Sequence, residues 1–282
     1  MWFQELFSKV IVNVSQSYPE TPLSKHICLQ LSSQLAEILK KWPGGQINIT
    51  AAGDVARLKL NRPEKSNFFE ELANLSSCAV LVIEGTGPSF CSGADLGLID
   101  QLCSSSLGSD MFHYMSSLLS AIRSSPMASF CVSVARLHGH CLGGATEIAS
   151  SCDLRVAHKD AKIGFLQSRM GIVPSWGGAA YLDSIIGRSA ALRVMTTAPI
   201  LTAVDAKSIG YVDVLYDTED DFEKFVSSMT KNGADVCKAQ KAMLNAYKHG
   251  GDPNAVIRSV WGSDAQKAAI IKQMSAVMDK KG

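Results

Sequence analysis

The fold of this chain is decided by one stretch, Ala79-Val-Leu-Val-Ile-Glu-Gly-Thr-Gly-Pro-Ser-Phe-Cys-Ser-Gly93. Its first five residues are continuously apolar, which is typical of a strand that is buried on both faces. A glycine-rich loop follows from Gly85 to Gly93, and the mixture of polar and apolar residues from Ala94 to Arg123 predicts a helix. Strand, loop and helix in this order indicate an α/β fold.

The same order of elements recurs further along the chain. An apolar run at 130–135 predicts a second strand, and the pair Gly143-Gly144 opens a second helix after a loop. Shorter strands are predicted at 153–157 and 163–165. Upstream, alternating residues on either side of Gly53-Asp54 predict a β-hairpin.

Three regions are expected along the 282 residues. Residues 1–28 form a poorly specified N-terminal extension, and residues 29–183 form the α/β core. Beyond residue 184 strand signals fade and apolar residues recur at helical spacing, with Pro253 and Gly262 as breaks. Residues 184–282 are therefore expected to form a helical C-terminal region.

Charge and composition exclude several classes of partner. The formal net charge is +1, and charged residues make up 19% of the chain in short runs. Positive and negative charges are balanced, so no basic stripe that could bind a nucleic acid and no net electrostatic attraction to a membrane surface are expected. No run approaches the roughly 20 apolar residues of a membrane span. We therefore expect neither a nucleic-acid partner nor a membrane partner.

The eight cysteines are scattered singly along the chain. None forms a C-x-x-C pair, so neither a metal site nor a disulfide framework is expected. Free thiols are typical of a reducing compartment, and the first residues lack the arginine-rich, acid-poor composition of a mitochondrial presequence. The cytosol is the expected location.

Two loops could place backbone N–H groups around an anion. Gly93 allows a tight turn, so that the N–H of Ala94 opens a helix with its positive dipole end outward. Gly143 and Gly144 lack a Cβ that would block a ligand from the main chain at the second helix start. Glu147 lies about one turn further on, so the pattern predicts an oxyanion hole with a carboxylate beside it.

Three motifs resemble those of the crotonase (enoyl-CoA hydratase/isomerase) superfamily: F-x-S-G-A-D-L from Phe90, H-G-x-x-L-G-G-x-x-E from His138, and M-G-I-V-P-x-x-G-G from Met170. The resemblance runs from about residue 44 to residue 215. It implies a spiral of β-β-α units with a helical C-terminal region, residues 184–282, that serves oligomerisation, and an assembly that is a homotrimer or a dimer of trimers. It also implies that the N–H groups of Ala94 and Gly144 hold the thioester oxygen of an acyl-CoA, beside Gly93 and Gly143.

One residue separates this chain from the two-glutamate hydratases that it resembles. Glu147 matches the first glutamate, but Gln167 stands where the second is expected. A neutral amide neither takes nor gives a proton at neutral pH, so hydration is disfavoured. Trp176, where hydratases have a small residue, makes the chain resemble members of the superfamily that decarboxylate short alkylmalonyl-CoA thioesters, such as those with ethyl or methyl groups. Val260-Trp-Gly262 and Trp42-Pro-Gly-Gly45 add to this resemblance.

Decarboxylation fits these residues. Loss of CO₂ leaves an enolate that the two N–H groups would stabilise, while Glu147 orients the carboxyl group or delivers the closing proton. Gln167 and Trp176 would contact the acyl group, and the substrate carries coenzyme A itself, so no separate cofactor or metal is expected.

Two alternatives stay open. The chain could be an enoyl-CoA hydratase or isomerase of fatty acid metabolism, or a non-catalytic acyl-CoA-binding protein or inactive isoform. The second follows from a shortened segment, because Phe68 to Cys78 is too short for the helix that the family has there. The same shortening leaves Lys65, a candidate contact to coenzyme A, next to altered backbone.

Overall fold

The computed structural model describes residues 46–61, 78–93, 100, 103–124 and 131–278. The expected extension over residues 1–28 and the shortened segment before Cys78 lie outside these ranges. Within them the chain forms a mixed α/β fold, which confirms the predicted fold class.

Strands form a large sheet and a small one. The large sheet has the order β1-β2-β3-β4-β6-β9, in which β1 and β2 form the predicted antiparallel hairpin and the other neighbours are parallel. The small sheet has the order β5-β7-β8. The strand bounds are β1 Gln46–Ala52, β2 Val55–Asn61, β3 Val80–Gly85, β4 Val132–Leu137, β5 His140–Leu142, β6 Leu154–His158, β7 Lys162–Gly164, β8 Leu201–Thr202 and β9 Val214–Tyr216.

Helices follow the strands and then dominate the C-terminal part. Their bounds are α1 Ser105–Ser124, α2 Gly144–Ser151, α3 Gly178–Ile186, α4 Arg188–Thr197, α5 Ala203–Ser208, α6 Glu219–Thr230, α7 Ala234–His249, α8 Pro253–Val260 and α9 Asp264–Met278. A short 3₁₀ helix spans Gln167–Met170. Among the described helices none is long and apolar enough to cross a lipid bilayer.

Strand β3 is buried on both faces, as its continuous apolar run predicts. Leu81 and Ile83 point into a core shared with α1 and α2, whereas Val80 and Val82 point into a second core against α6. Because both faces are covered, the loops that leave β3 and β4 at the carboxyl ends of these parallel strands emerge from a rigid base.

The region after residue 184 differs from its prediction in one respect. It contains two short strands, β8 and β9, which its helical pattern did not indicate. Strand β9 joins the edge of the large sheet beside β6, where the buried guanidinium of Arg155 binds the carboxylate of Asp213 at 2.8 Å. A strand of three residues carries too few side chains to show a period of two, so its pairing partner decides its conformation.

Candidate active site

The structure brings the two predicted glycine loops together. The N–H of Phe90 donates to the carbonyl of His138 at 2.8 Å, and the N–H of Leu142 donates to the carbonyl of Cys91 at 3.2 Å. These bonds tie the loop after β3 to β5 along its length. A Cβ added at Gly93 would lie 3.8 Å from the backbone nitrogen of Gly144, so the end of the first loop meets the start of α2.

Glycine is required at both ends of this junction. Gly93 has a φ of +100°, and a Cβ there would lie 2.8 Å from the carbonyl oxygen of Leu142. Gly143, with a φ of +57°, precedes α2, and its own N–H donates to the carbonyl of Gly164 at 2.8 Å. A side chain at Gly93 would therefore both strain the backbone and push the loops apart.

The N–H of Gly144 is placed to meet a ligand. Gly144 is the first residue of α2, and the first N–H groups of a helix have no acceptor within it. Gly143, before it, offers no side chain as a cap, and no acceptor among the described residues receives the N–H of Gly144. The N-terminal end of the helix dipole adds to the attraction for an anionic oxygen.

The indole of Trp176 packs directly on Gly144. A Cβ added at Gly144 would lie 2.4 Å from Cζ3 and 2.5 Å from Cη2 of that ring. The half-buried ring therefore forms a wall beside the free N–H, and only glycine leaves room for it. Trp176 belongs to the candidate site, as its position in the sequence suggests.

Glu147 is held in one orientation by three donors. Its side chain is buried, with the residue 1% exposed. Oε2 accepts the backbone N–H groups of Trp176 at 2.7 Å and Gly178 at 2.9 Å, and Oε1 accepts the Nε2 of Gln167 at 3.0 Å. Helix α3 begins at Gly178 without a side-chain cap of its own. The carboxylate of Glu147 thus serves as its N-terminal acceptor and fixes the loop that carries Trp176.

Burial dominates the electrostatics of Glu147. Loss of solvent around the carboxylate raises its pKa to about 6, while the hydrogen bonds from Gly178, Trp176 and Gln167 act in the opposite direction. Desolvation outweighs these hydrogen bonds, and no cationic side chain among the described residues acts on the carboxylate to lower its pKa. A group with this pKa exchanges protons close to neutral pH, which suits an acid or a base in catalysis.

Gln167 contacts Glu147 directly. It opens the 3₁₀ helix after β7 and is 4% exposed. While Nε2 donates to Glu147, Oε1 is buried and meets no hydrogen-bond donor in the described part of the chain. A buried acceptor without a partner is uncommon in folded proteins, so this atom is a candidate for contact with a ligand.

The structure assembles most of the predicted site residues in one place. They are Gly93, Gly143, Gly144, Glu147, Gln167 and Trp176. Two others, Ala94 and Lys65, lie outside the described residues. No group of three His, Cys, Asp or Glu side chains that could hold a metal ion occurs within the described ranges.

Two further residues at the site were not singled out from the sequence. Gly178 donates to Glu147, and a Cβ there would lie 2.4 Å from the Cγ of Glu147; the G-G pair in the third motif is its signal. Ser116 of α1 places a buried Oγ, without a partner in the described residues, 3.4 Å from where a Cβ of Gly177 would lie. Helical periodicity alone carries no signal for Ser116.

Comparison with known proteins identifies the family of the chain. Residues 50–259 match the family described as enoyl-CoA hydratase/isomerase. The chain belongs to this family. It is 31% identical to mouse ethylmalonyl-CoA decarboxylase over 85% of this chain and 81% of that protein. It is 30% identical to the bovine protein of the same name, over 83% and 84%. The superfamily predicted from the three motifs is confirmed.

A solved structure shows the same fold. A Thermobifida fusca protein of the enoyl-CoA hydratase group, crystallised with acetoacetyl-CoA, superposes on the chain with a TM-score of 0.61. The match covers 86% of this chain and 98% of that one at 22% sequence identity. At this identity the likeness establishes the fold, and the chemistry has to be argued from the site.

Proposed function

We propose that the chain decarboxylates short alkylmalonyl-CoA thioesters, such as ethylmalonyl-CoA and methylmalonyl-CoA. One observation carries the proposal: the buried carboxylate of Glu147, about one turn along α2 from the N–H of Gly144, accepts a hydrogen bond from the neutral amide of Gln167. The relatives named ethylmalonyl-CoA decarboxylase support a carboxylated acyl-CoA as the substrate.

The N–H of Gly144 stabilises the enolate that forms in the central step of the proposed reaction. The thioester oxygen accepts the N–H of Gly144 and, as the family resemblance implies, that of Ala94. When the bond between the α-carbon and the carboxylate breaks, CO₂ leaves and the electron pair becomes an enolate whose charge lies on this oxygen. One such donor is worth about 10²–10³ in rate, because it faces the charge where it develops. Gly93 and Gly143 keep the approach to the main chain open.

In this proposal Glu147 donates the proton that completes the reaction. Its carboxyl group gives a proton to the α-carbon of the enolate and regains one from solvent. Its pKa of about 6 suits both steps near neutral pH. Gln167 lacks a titratable proton, so it cannot act as a second carboxylate that activates a water for hydration.

The remaining groups have supporting roles in the proposal. Trp176 walls the acyl pocket and keeps water from the enolate, and Lys65 contacts the coenzyme A moiety. The reaction as written moves one proton and one CO₂, so it draws on no metal, biotin or redox cofactor. The cytosol is the proposed location.

We further propose that the protein is a homotrimer or a dimer of trimers built through its C-terminal helices. The end of α8 and the length of α9 carry several large apolar side chains that are exposed in the isolated chain: Ile257, Trp261, Ile270, Ile271, Met274 and Val277. Such a set is larger than single chains commonly leave in contact with water. Light scattering on the purified protein gives the mass directly, and a monomer would refute this assembly.

Mass spectrometry of thioesters tests the proposed reaction. The purified protein is incubated separately with ethylmalonyl-CoA, methylmalonyl-CoA and crotonyl-CoA. Butyryl-CoA and propionyl-CoA are the expected products, with crotonyl-CoA unchanged. Hydrated crotonyl-CoA would show a hydratase, and double-bond migration in a longer enoyl-CoA would show an isomerase.

Two variants test whether any turnover that is measured depends on the candidate site. Glu147→Gln is expected to lower turnover by about 10²–10⁴, the usual contribution of a general acid. Asp235→Asn makes the same carboxylate-to-amide change at an exposed position of α7 and should retain wild-type turnover. Binding of acyl-CoA without any product from a folded protein would instead indicate a non-catalytic binding protein.

A further inference from the structure

Only one of the two polar atoms of the Gln167 amide has a hydrogen-bond partner in the described residues. Nε2 donates to the carboxylate of Glu147 at 3.0 Å, whereas Oε1 is buried and finds no donor in the described residues. The residue is 4% exposed, so bulk water does not compensate for the missing donor. In its present orientation Gln167 offers only an acceptor to a ligand.

The charge on Glu147 dictates this orientation. An ionised carboxylate can only accept hydrogen bonds, so the amide must turn its Nε2 toward Oε1 of Glu147. If Oε1 of Glu147 took a proton, it would become a donor and Oε1 of Gln167 would be its natural acceptor. Half a turn of the amide would then put Nε2 where Oε1 had been.

Only Oε1 of Glu147 is available for that proton. Oε2 already accepts two backbone N–H groups, from Trp176 and Gly178. Protonation at Oε1 preserves both bonds, so the loop and the indole that it carries keep their places. The change is confined to one carboxyl oxygen and one amide.

We infer that Glu147 and Gln167 form a proton-coupled pair that recognises the carboxylate which the substrate loses. A substrate carboxylate can only accept hydrogen bonds. It is repelled when the amide presents Oε1 of Gln167, and it is bound when the amide presents Nε2. Binding therefore requires that Glu147 take up one proton. The inference rests on the proposed function and assigns Gln167 as the residue that distinguishes carboxylated acyl-CoA from other acyl-CoA.

The proton that is taken up on binding is the one that the reaction needs. The bond from the α-carbon to the carboxylate breaks, CO₂ leaves, and the electron pair forms the enolate held by Gly144. Glu147 then gives its proton to the α-carbon and becomes ionised. The amide turns back, so that Oε1 faces a product that has no carboxylate. Each turnover consumes one substrate and one proton, and yields one CO₂ and one acyl-CoA.

Three titratable groups on elements packed near Glu147 are engaged elsewhere or neutral. Arg123 of α1 donates to the carbonyl of Ser150 and lies over the ring of Tyr181 of α3. Arg169 of the 3₁₀ helix donates to the carbonyl of Ala198. Cys141 of β5 is fully buried, and burial raises its pKa, so this thiol stays neutral. None of these three groups is bonded to Glu147, whose side-chain partner in the described structure is Gln167.

The size of the coupling follows from the pKa of Glu147, which is about 6. At about pH 8 roughly 1% of the sites carry the proton, so a ligand that binds only the protonated form binds about 100-fold more weakly than at low pH. Its Kd rises about tenfold per pH unit above pH 6. A ligand without the carboxylate shows no such slope.

Calorimetry with a stable analogue measures the uptake of protons. The probe is ethylmalonyl-CoA with NH in place of the thioester sulfur, which keeps the carboxylate and resists decarboxylation. Titrations at about pH 8 in two buffers of different ionisation enthalpy give the number of protons bound per site. Close to one proton is expected for this analogue and none for butyryl-CoA. No uptake, or equal uptake for both ligands, overturns the inference.

Two variants separate recognition from proton delivery. In Glu147→Gln the new amide donates permanently to Oε1 of Gln167, so the variant should bind the analogue about 100-fold more tightly than wild type at about pH 8, with no pH slope. Its turnover should nevertheless fall. Gln167→Met keeps the side-chain length but has no amide, and it should lose both the uptake and the preference for the carboxylated ligand. Weaker binding by the Glu147→Gln variant overturns the inference.

Failure of this inference differs from failure of the proposed function. Decarboxylation of ethylmalonyl-CoA without proton uptake on binding of the analogue would retain the enzyme and reject the proton-coupled pair. A folded protein that turns over none of the carboxylated thioesters would reject the proposed function itself. Asp235→Asn should match wild type in both measurements.

Discussion

Replacing Gly144 with alanine tests whether the indole wall and the oxyanion hole are one unit. The added Cβ would lie 2.4 Å from Cζ3 of Trp176, whereas carbon atoms in contact prefer about 3.5–4.0 Å. The ring must therefore retreat by about 1 Å or more. It cannot retreat freely, because the backbone N–H of Trp176 is bound to Glu147 at 2.7 Å.

The expected cost has two parts. Overpacking of this kind destabilises a protein by about 1–3 kcal/mol. Moving the N–H of Gly144 by about 1 Å from the thioester oxygen costs about 100-fold in kcat/KM, which corresponds to about 2.7 kcal/mol of transition-state stabilisation. The assay is decarboxylation of ethylmalonyl-CoA, with a urea melt to measure the stability of the same preparation.

Two further variants decide the interpretation. Gly108→Ala adds the same methyl group on α1 with no atom within 4 Å, so activity should not change. Gly144→Ala combined with Trp176→Ala removes the ring that clashes, and should therefore recover part of the activity lost in Gly144→Ala. Wild-type activity in Gly144→Ala, or losses that simply add in the double variant, would refute the reasoning.

Three more predictions follow from the buried polar groups. The pKa of Glu147 is about 6 in the folded state and its ordinary value is 4.5, so the folded state holds this proton more tightly than the unfolded state. About 2 kcal/mol of folding stability that is present below pH 4.5 is therefore lost as the pH rises through 6. Glu147→Gln should remove this loss, as urea melts at several pH values would show. Asp213→Ala leaves the buried Arg155 unpaired and should cost about 3 kcal/mol, whereas Asp217→Ala, in an exposed pair, should cost under about 1 kcal/mol; equal losses would contradict this. Gln167→Glu adds a second carboxylate, so crotonyl-CoA hydration should exceed the wild-type rate while decarboxylation falls, as thioester analysis would show.

Local pattern was sufficient for the elements that position the site. The apolar run at β3 and the hairpin around Gly53 have strong periodic or turn signals, and both formed as predicted. Gly143 and Gly144 marked the start of α2 because they leave its first N–H groups open. The motif Gly143-Gly144 with Glu147 one turn later therefore indicated an anion site from the sequence alone.

Tertiary structure decided the contacts within that site. Glu147 and Gln167 are 20 positions apart along the chain. Their hydrogen bond forms because the 3₁₀ helix that follows β7 lies against α2. The clamp on Trp176, the cap on α3 and the unpartnered Oε1 of Gln167 arise from the same long-range packing. Strand β9 likewise exists because β6 and Arg155 hold it in place. Sequence determined which groups were present and where α2 starts. Packing determined which donor meets which acceptor, because hydrogen bonds depend on distances that only the folded chain sets.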